Sequence, residues 1–281
     1  MDLPSASPRA GGIPQIQIRN PKSQIRRKSE IRSKAHDDIA NREGLLGERS
    51  SDFRLRTFFG FLISNFGFVC YPRRVIALVD YDSGNLRSVQ KALLQVGADV
   101  RVVRGPDGLK DARAAVLPGV GAFDDCVNAL RKQELLEASR DFMKAGRPFL
   151  GICVGYQAMF EKSEEFNSCA AGLGIFKGRV VRFTEEPGLK IPQIGWNQIE
   201  VVRQDCQLFQ GIKSGSYVYF VHSFFPQPAD PAIIATRTTY GQPFASAIWR
   251  DNVYATQFHP EKSQRVGLQL LKNFVDLASA R

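Results

Sequence analysis

Two short stretches carry side chains that could do covalent chemistry together. Gly151-Ile152-Cys153-Val154-Gly155 sets a cysteine between two glycines, where an apolar strand should give way to a helix. Glycines there let the chain turn sharply and lift the central side chain above a sheet. The free amides and positive end of the next helix would favour the thiolate, which is the attacking form. The amide of Val154 would point where a tetrahedral oxyanion forms. A thiol also needs a base, and the chain offers His36, His222 and His259. His259 follows an apolar stretch in Gln257-Phe258-His259-Pro260-Glu261-Lys262-Ser263, with a carboxylate two residues on across a proline. Glu261 can hold one ring nitrogen and aim the other at Cys153. His222, in Tyr219-Phe220-Val221-His222-Ser223-Phe224, is the rival base, but no acid stands beside it, and it is expected near the pocket wall. The chemistry is nucleophilic acyl transfer, with Cys153, His259 and Glu261 as the catalytic residues. The bland alternatives are a buried inert cysteine and a surface histidine in a capped turn.

The elements that must position these residues can be read from apolar periodicity. Val75 to Val79 is an apolar run suited to a strand buried on both faces. A turn at Asp80 to Asn85 follows, with Ser83 or Asn85 able to cap a helix that carries Leu86, Val89, Leu93 and Val96. Asp99 to Val103 and Ala114 to Leu117 read as strands, and Phe123 to Ala145 as a helix interrupted near Gln133. The strand ending at Cys153 leads into a helix expected to run to about Ser163. Beyond it, Val180–Phe183, Ile199–Val202, Tyr217–Val221, Ile233–Thr239, Ala245–Trp249 and Val253–Gln257 are short strands between turn residues. A last helix spans roughly Ser263 to Ala278. The fold class is therefore α/β: a mostly parallel central sheet with helices on both faces, and an antiparallel, hairpin-rich second half. The end of a parallel strand, where His259 falls, is where such sheets hold ligands.

Composition narrows the function class. The net charge of +10 invites a nucleic-acid reading, but residues 1–74 hold 14 Lys+Arg against 7 Asp+Glu, so a surplus of seven lies in the first quarter. That quarter is rich in Arg, Ser, Gly and Pro, with Ile-Arg and Phe-Gly-Phe echoes and no sustained period. Residues 1–73 are read as a disordered or non-native extension rather than a transit peptide or a nucleic-acid-binding arm, and 74–281 as one domain. No apolar run is long enough to span a membrane. The five cysteines include no Cys-x-x-Cys pair and are odd in number, which argues against a disulfide framework and for a reducing, cytoplasmic setting. Three scattered histidines make a poor metal set, so no metal or cofactor is expected.

Gly151-Ile152-Cys153-Val154-Gly155-Tyr156-Gln157, followed by Gln257-Phe258-His259-Pro260-Glu261-Lys262, resembles the class I (triad) glutamine amidotransferases, and the resemblance spans residues 75–281. Tyr81-Asp82-Ser83-Gly84-Asn85-Leu86, Leu117-Pro118-Gly119-Val120-Gly121-Ala122-Phe123, Gly195-Trp196-Asn197 and Tyr219-Phe220-Val221-His222-Ser223 are most similar to the branch that serves histidine biosynthesis. The resemblance implies that Cys153 attacks the side-chain amide of glutamine, forming a glutamyl thioester that water then hydrolyses. It implies an oxyanion strand at Gly119-Val120, beside the Val154 amide, with glycine giving a peptide there the freedom to flip. It implies substrate-binding roles for Gln157, Glu165, Ser223 and Phe224, with Glu165 toward the α-ammonium. It also implies a heterodimer with a cyclase subunit built as a (β/α)₈ barrel, which receives ammonia through a dry passage. Phe224 stands where the family often has Tyr, and Gln193 and Ala255 also depart from its usual pattern. Rivals are another triad amidotransferase, such as the small subunit of anthranilate synthase, and a catalytically silent subunit of the same fold.

Overall fold

Five strands, four of them buried at every position, form the parallel part of the protein. The computed structural model describes residues 75–82 and 85–280, so the reading of residues 1–73 and of Ser83 as a cap lies outside the described residues. Strands β1 (Val75–Val79), β3 (Ala114–Gly119) and β4 (Phe149–Cys153) are buried at every position, as their unbroken apolar runs require. Strand β2 (Asp99–Val103) lies at the edge and alternates between exposed and partly buried residues until its last, Val103, which is buried. The last parallel strand, β12 (Val253–Thr256), is fully buried and pairs with β4 in the register Thr256 to Ile152.

The rest of the large sheet is antiparallel: β7 (Gln193–Val201), β8 (Ser216–His222), β10 (Ile234–Tyr240) and β11 (Gln242–Arg250). The order across all nine strands is β2-β1-β3-β4-β12-β11-β10-β7-β8. A second sheet of three strands joins β5 (Phe160–Ser163), β6 (Phe176–Arg182) and β9 (Phe224–Pro228). The expected class, parallel first and hairpin-rich afterwards, is the observed one.

Helices pack in two groups. Helix α1 (Leu86–Gln95) lies with α6 (Gln264–Ala280), while α2 (Pro106–Lys110), α3 (Phe123–Lys132) and α4 (Leu135–Lys144) form the other group. The expected break near Gln133 occurs at Glu134, whose φ of 58° ends one helix before the next begins. Helix α3 has Asp124 and Asp125 in its first turn and Arg131 and Lys132 in its last, matching the helix dipole at both ends.

Three expectations need correction. The helix after Cys153, α5 (Val154–Gln157), is a single turn, and the chain expected to extend it to Ser163 instead forms β5. The cause is tertiary: Phe160 and Ser163 are buried while Glu161 and Lys162 face out, and the chain pairs in parallel with β6. Asn85 precedes α1 in a left-handed conformation but makes no side-chain capping bond. Strand β7 begins at Gln193, six residues before the expected start, because one of its faces is exposed and apolar content alone does not mark it.

Candidate active site

The C-terminal ends of β3, β4 and β12 lie side by side and carry the residues that could react. Gly119 pairs with Cys153 across β3 and β4, and the Thr256–Ile152 register brings the residue after Thr256 beside the cysteine. Cys153 adopts φ 54° and ψ −109°, a conformation disfavoured for any residue with a side chain. Its flanking glycines make the turn possible. A Cβ on Gly155 would stand 2.0 Å from the carbonyl oxygen of Leu117, and one on Gly151 would stand 2.6 Å from Met159 Cε. The elbow thus exists because its helix presses onto the neighbouring strand. Cys153 Sγ is buried and has Val221 O at 4.0 Å and Gln257 Nε2 at 3.6 Å.

His259 is anchored from its backbone outward. Its amide donates to Tyr219 O at 2.9 Å, and its carbonyl accepts from Ser263 Oγ at 2.7 Å. The ring Nδ1 lies 2.8 Å from Glu261 Oε1, with both side chains almost fully buried. The same carboxylate oxygen accepts from Asn85 Nδ2, which is where the presumed helix cap sends its side chain. Nε2 has no hydrogen-bond partner among the described residues, while Cys153 acts strongly on the ring. Burial would lower the pKa of His259, but Cys153 and the Glu261 carboxylate outweigh it and raise the pKa well above the ordinary range. The ring therefore receives and holds a proton readily when the sulfur is charged.

Cys153 and His259 line one cleft of about 260 Å³ together with Val120, Gly121, Val154, Gln157, Glu165, Pro192, Val221, His222, Ser223 and Phe224. The structure thus brings Cys153, His259, Val120, Val154, Gln157, Glu165, Ser223 and Phe224 together, with Glu261 behind the histidine. Gly119 lies just outside the lining, and its glycine has a packing reason in addition to the expected freedom to flip. A Cβ there would meet Gly155 N at 2.5 Å and Tyr81 Oη at 2.8 Å, so close packing excludes a side chain. Glu165 Oε2 accepts from Phe123 N at 2.7 Å, at the start of α3. Burial raises the Glu165 pKa, an effect that the Phe123 bond opposes.

His222 is a wall of the cleft, as expected of the rival base, and its chemistry argues against proton transfer. Its Nδ1 lies 2.9 Å from Phe224 O, and its ring packs among Phe183, Phe220 and Phe244. Burial drives its pKa down to about 3, helped by His259 and opposed by the Phe224 carbonyl. A folded-state value below the ordinary one near 6.5 leaves stability untouched above about pH 6.5 and subtracts from it as pH falls toward 3, by on the order of 4 kcal/mol. His222→Gln, which keeps a donor for Phe224, should flatten the acid side of a Tm-versus-pH series below about pH 6.5. The His259 shift has the opposite sign and is present in both chains, so the difference isolates His222. An acid limb as steep as the parent's would contradict this assignment.

Two residues at the site escaped sequence reasoning although both stood inside quoted motifs. Gln257 donates toward the Cys153 sulfur, and Asn85 donates to Glu261 across 176 positions of chain. Their signal was polar character at a strand end and at a helix start. Of the other described cysteines, Cys126 and Cys206 are buried thiols whose pKa values burial pushes up to about 12 and about 11, and Cys169 is exposed.

The family model described as "Glutamine amidotransferase class-I" matches residues 77–277. The imidazole glycerol phosphate synthase subunit HisH of Syntrophotalea carbinolica is 50% identical over 208 residues, which cover 72% of this chain and 100% of that protein. Its counterpart in Acaryochloris marina is 48% identical over 207 residues, covering 73% of this chain and 96% of the other. Among solved structures, a glutamine amidotransferase aligns with a TM-score of 0.58 at 19% identity, covering 73% of this chain and 98% of that one. The structure of PurLQS from Thermotoga maritima aligns with a TM-score of 0.58 at 18% identity, covering 72% and 98%. At such identities these two structures speak for the fold alone.

Proposed function

The chain belongs to the class-I glutamine amidotransferases, and from that premise we propose that it is the glutaminase subunit of an imidazole glycerol phosphate synthase. It hydrolyses glutamine to glutamate and ammonia, and the ammonia passes to a cyclase partner in histidine biosynthesis. The observation that carries the reading is one cleft holding Cys153 on a strained elbow beside a histidine whose Nδ1 is 2.8 Å from a buried carboxylate. The names of relatives matched over 96–100% of their length supply the branch.

The mechanism follows from these groups. Cys153 Sγ attacks the side-chain amide carbon of glutamine after passing its proton to His259 Nε2. The oxygen gains charge and is met by the amides of Val120 and Val154. His259 gives the proton to the departing nitrogen, which leaves as ammonia, and the glutamyl group stays on sulfur as a thioester. Water, deprotonated by His259, attacks the thioester carbon, and sulfur leaves as thiolate with glutamate released. Glu261, steadied by Asn85, keeps the ring in the tautomer that presents Nε2 to the sulfur. Glu165, Gln157, Ser223 and Phe224 hold the amino-acid end of the substrate.

The partner's docking face is the exposed side of β7 and β8. Ile194, Trp196 and Tyr217 are roughly half to two-thirds exposed, Trp196 meets the edge of Tyr219, and Lys262 stands over the Tyr219 ring. Val221, the register partner of Ile194, lines the catalytic cleft, so this face borders its mouth. A (β/α)₈ cyclase seated there would cover the cleft and keep ammonia from water. Among the described residues no helix is long and apolar enough to cross a membrane. A cytoplasmic location suits this reading, which gives residues 1–73 no catalytic role. The test is co-purification with the presumed cyclase and a glutaminase assay with and without its nucleotide substrate. Hydrolysis should rise at least about tenfold in the loaded complex. Equal rates alone and in complex would overturn the partner assignment.

A further inference from the structure

The amides behind the cysteine form a buried chain, and one carbonyl fixes its polarity. Phe224 O can only accept, and it takes bonds from His222 Nδ1 at 2.9 Å and Gln157 Nε2 at 3.0 Å. The proton of His222 is therefore on Nδ1, and the NH₂ end of Gln157 points to Phe224. The same Gln157 nitrogen lies 3.2 Å from the side chain of Gln257, so the facing atom must be the oxygen of Gln257. The other end of Gln257, its NH₂, then falls 3.6 Å from Cys153 Sγ. Exchanging oxygen and nitrogen in Gln257 would set NH₂ against NH₂ and oxygen against sulfur, losing both contacts. Gln257, Gln157 and Cys153 are at most 4% exposed, so water does not compete for these bonds.

We propose that Gln257 is a further catalytic residue, whose Nε2–H donates to the Cys153 sulfur and holds negative charge on it, and that Gln157 is a positioning residue that orients this donor. The proposal rests on the reading of Cys153 as the nucleophile of a glutaminase. A hydrogen bond to a charged acceptor is stronger than one to a neutral acceptor. The bond therefore tightens when the thiol ionises, relaxes when sulfur is acylated, and tightens again as the thioester breaks. Gln257 thus assists both the attack and the release of the acyl group. Gln157 spends both N–H groups on Phe224 and Gln257 and keeps its oxygen for the substrate.

The test uses the full chain assembled with its cyclase. Gln257→Leu removes the donor, and Gln257→Met removes it while keeping the length and volume of the side chain. Both should lower kcat for glutamine hydrolysis about tenfold or more, with KM within about twofold. Alkylation of Cys153 by iodoacetamide, followed on the Cys153 peptide by mass spectrometry, should fall about tenfold at neutral pH. At about pH 10, where thiols ionise unaided, it should match the parent. Gln157→Leu, which does not touch sulfur but removes the oxygen kept for the substrate, should cause a smaller loss of kcat and of neutral-pH alkylation, together with a rise in KM. Unchanged kcat and neutral-pH alkylation in the folded variants would overturn the inference. An equal alkylation loss at both pH values would do so too, because it reports access to the sulfur and not its charge. A parent complex that hydrolyses no glutamine would defeat the functional reading itself, whereas an active parent with unaffected variants would defeat this inference alone.

Discussion

Cys153→Ala should abolish glutamine-dependent synthesis by the assembled complex, by about 10⁴-fold or more, while synthesis from added ammonium salts stays within about twofold of the parent. The asymmetry follows from the division of labour. Without sulfur there is no thioester, and the remaining oxyanion amides and His259 can only direct water at an amide, which is slow. Ammonia supplied from solution bypasses the cleft entirely and meets the partner's own site. The substitution is sterically mild, since alanine merely vacates the space of one sulfur atom beside Val221 and Gln257. Parallel loss of both activities would mean that Cys153 holds the fold or the interface together rather than reacting. Retention of glutamine-dependent synthesis would remove it from the chemistry altogether.

Gly155→Ala should be the next most damaging, for a purely steric reason. The added Cβ would lie 2.0 Å from Leu117 O and 3.0 Å from Leu117 C, both backbone atoms of a central strand that cannot rotate away. Helix α5 would have to lift off β3, carrying the Cys153 elbow and the Val154 amide with it. We expect destabilisation of about 3 kcal/mol, a fall in Tm of roughly 6–12 °C, and a glutaminase loss of at least about 100-fold. A thermal-denaturation scan beside a glutaminase assay measures both. A variant with parental Tm and turnover would show that the elbow tolerates a gap the structure does not have.

How far these residues could be read in advance depended on whether a feature was local. Strands β1, β3 and β4 are buried on both faces, so their apolar runs announced them. Cys153 and the His259–Glu261 pair lay within short motifs whose chemistry is set by residue type and spacing. The sequence stretch after Cys153 misled because β5 exists only through its pairing with β6, and a buried–exposed–exposed–buried pattern fits a helical turn as well as a distorted strand. Strand β9 was missed because its two prolines, Pro226 and Pro228, look like loop residues, yet it pairs with β6. Asn85 looked like a helix cap because the type suits that role, whereas its partner Glu261 lies 176 positions away. Gln257 was invisible for the same reason: its partners at 153 and 157 become neighbours only through the β4–β12 register. The lack of room for a side chain at Gly119 was not legible in its motif, since only three-dimensional packing reveals the Gly155 amide above it.

The most direct measurement treats the full chain with a glutamine-shaped electrophile, such as a diazoketone analogue of the substrate, and maps the adduct by mass spectrometry. A single covalent addition is expected, on Cys153, and excess glutamine should suppress it. Cys126, Cys169 and Cys206 should stay unmodified under the same conditions. Modification of another cysteine in place of Cys153, or labelling of Cys153 that glutamine does not slow, would contradict the claim that this thiol is the nucleophile of a glutamine site.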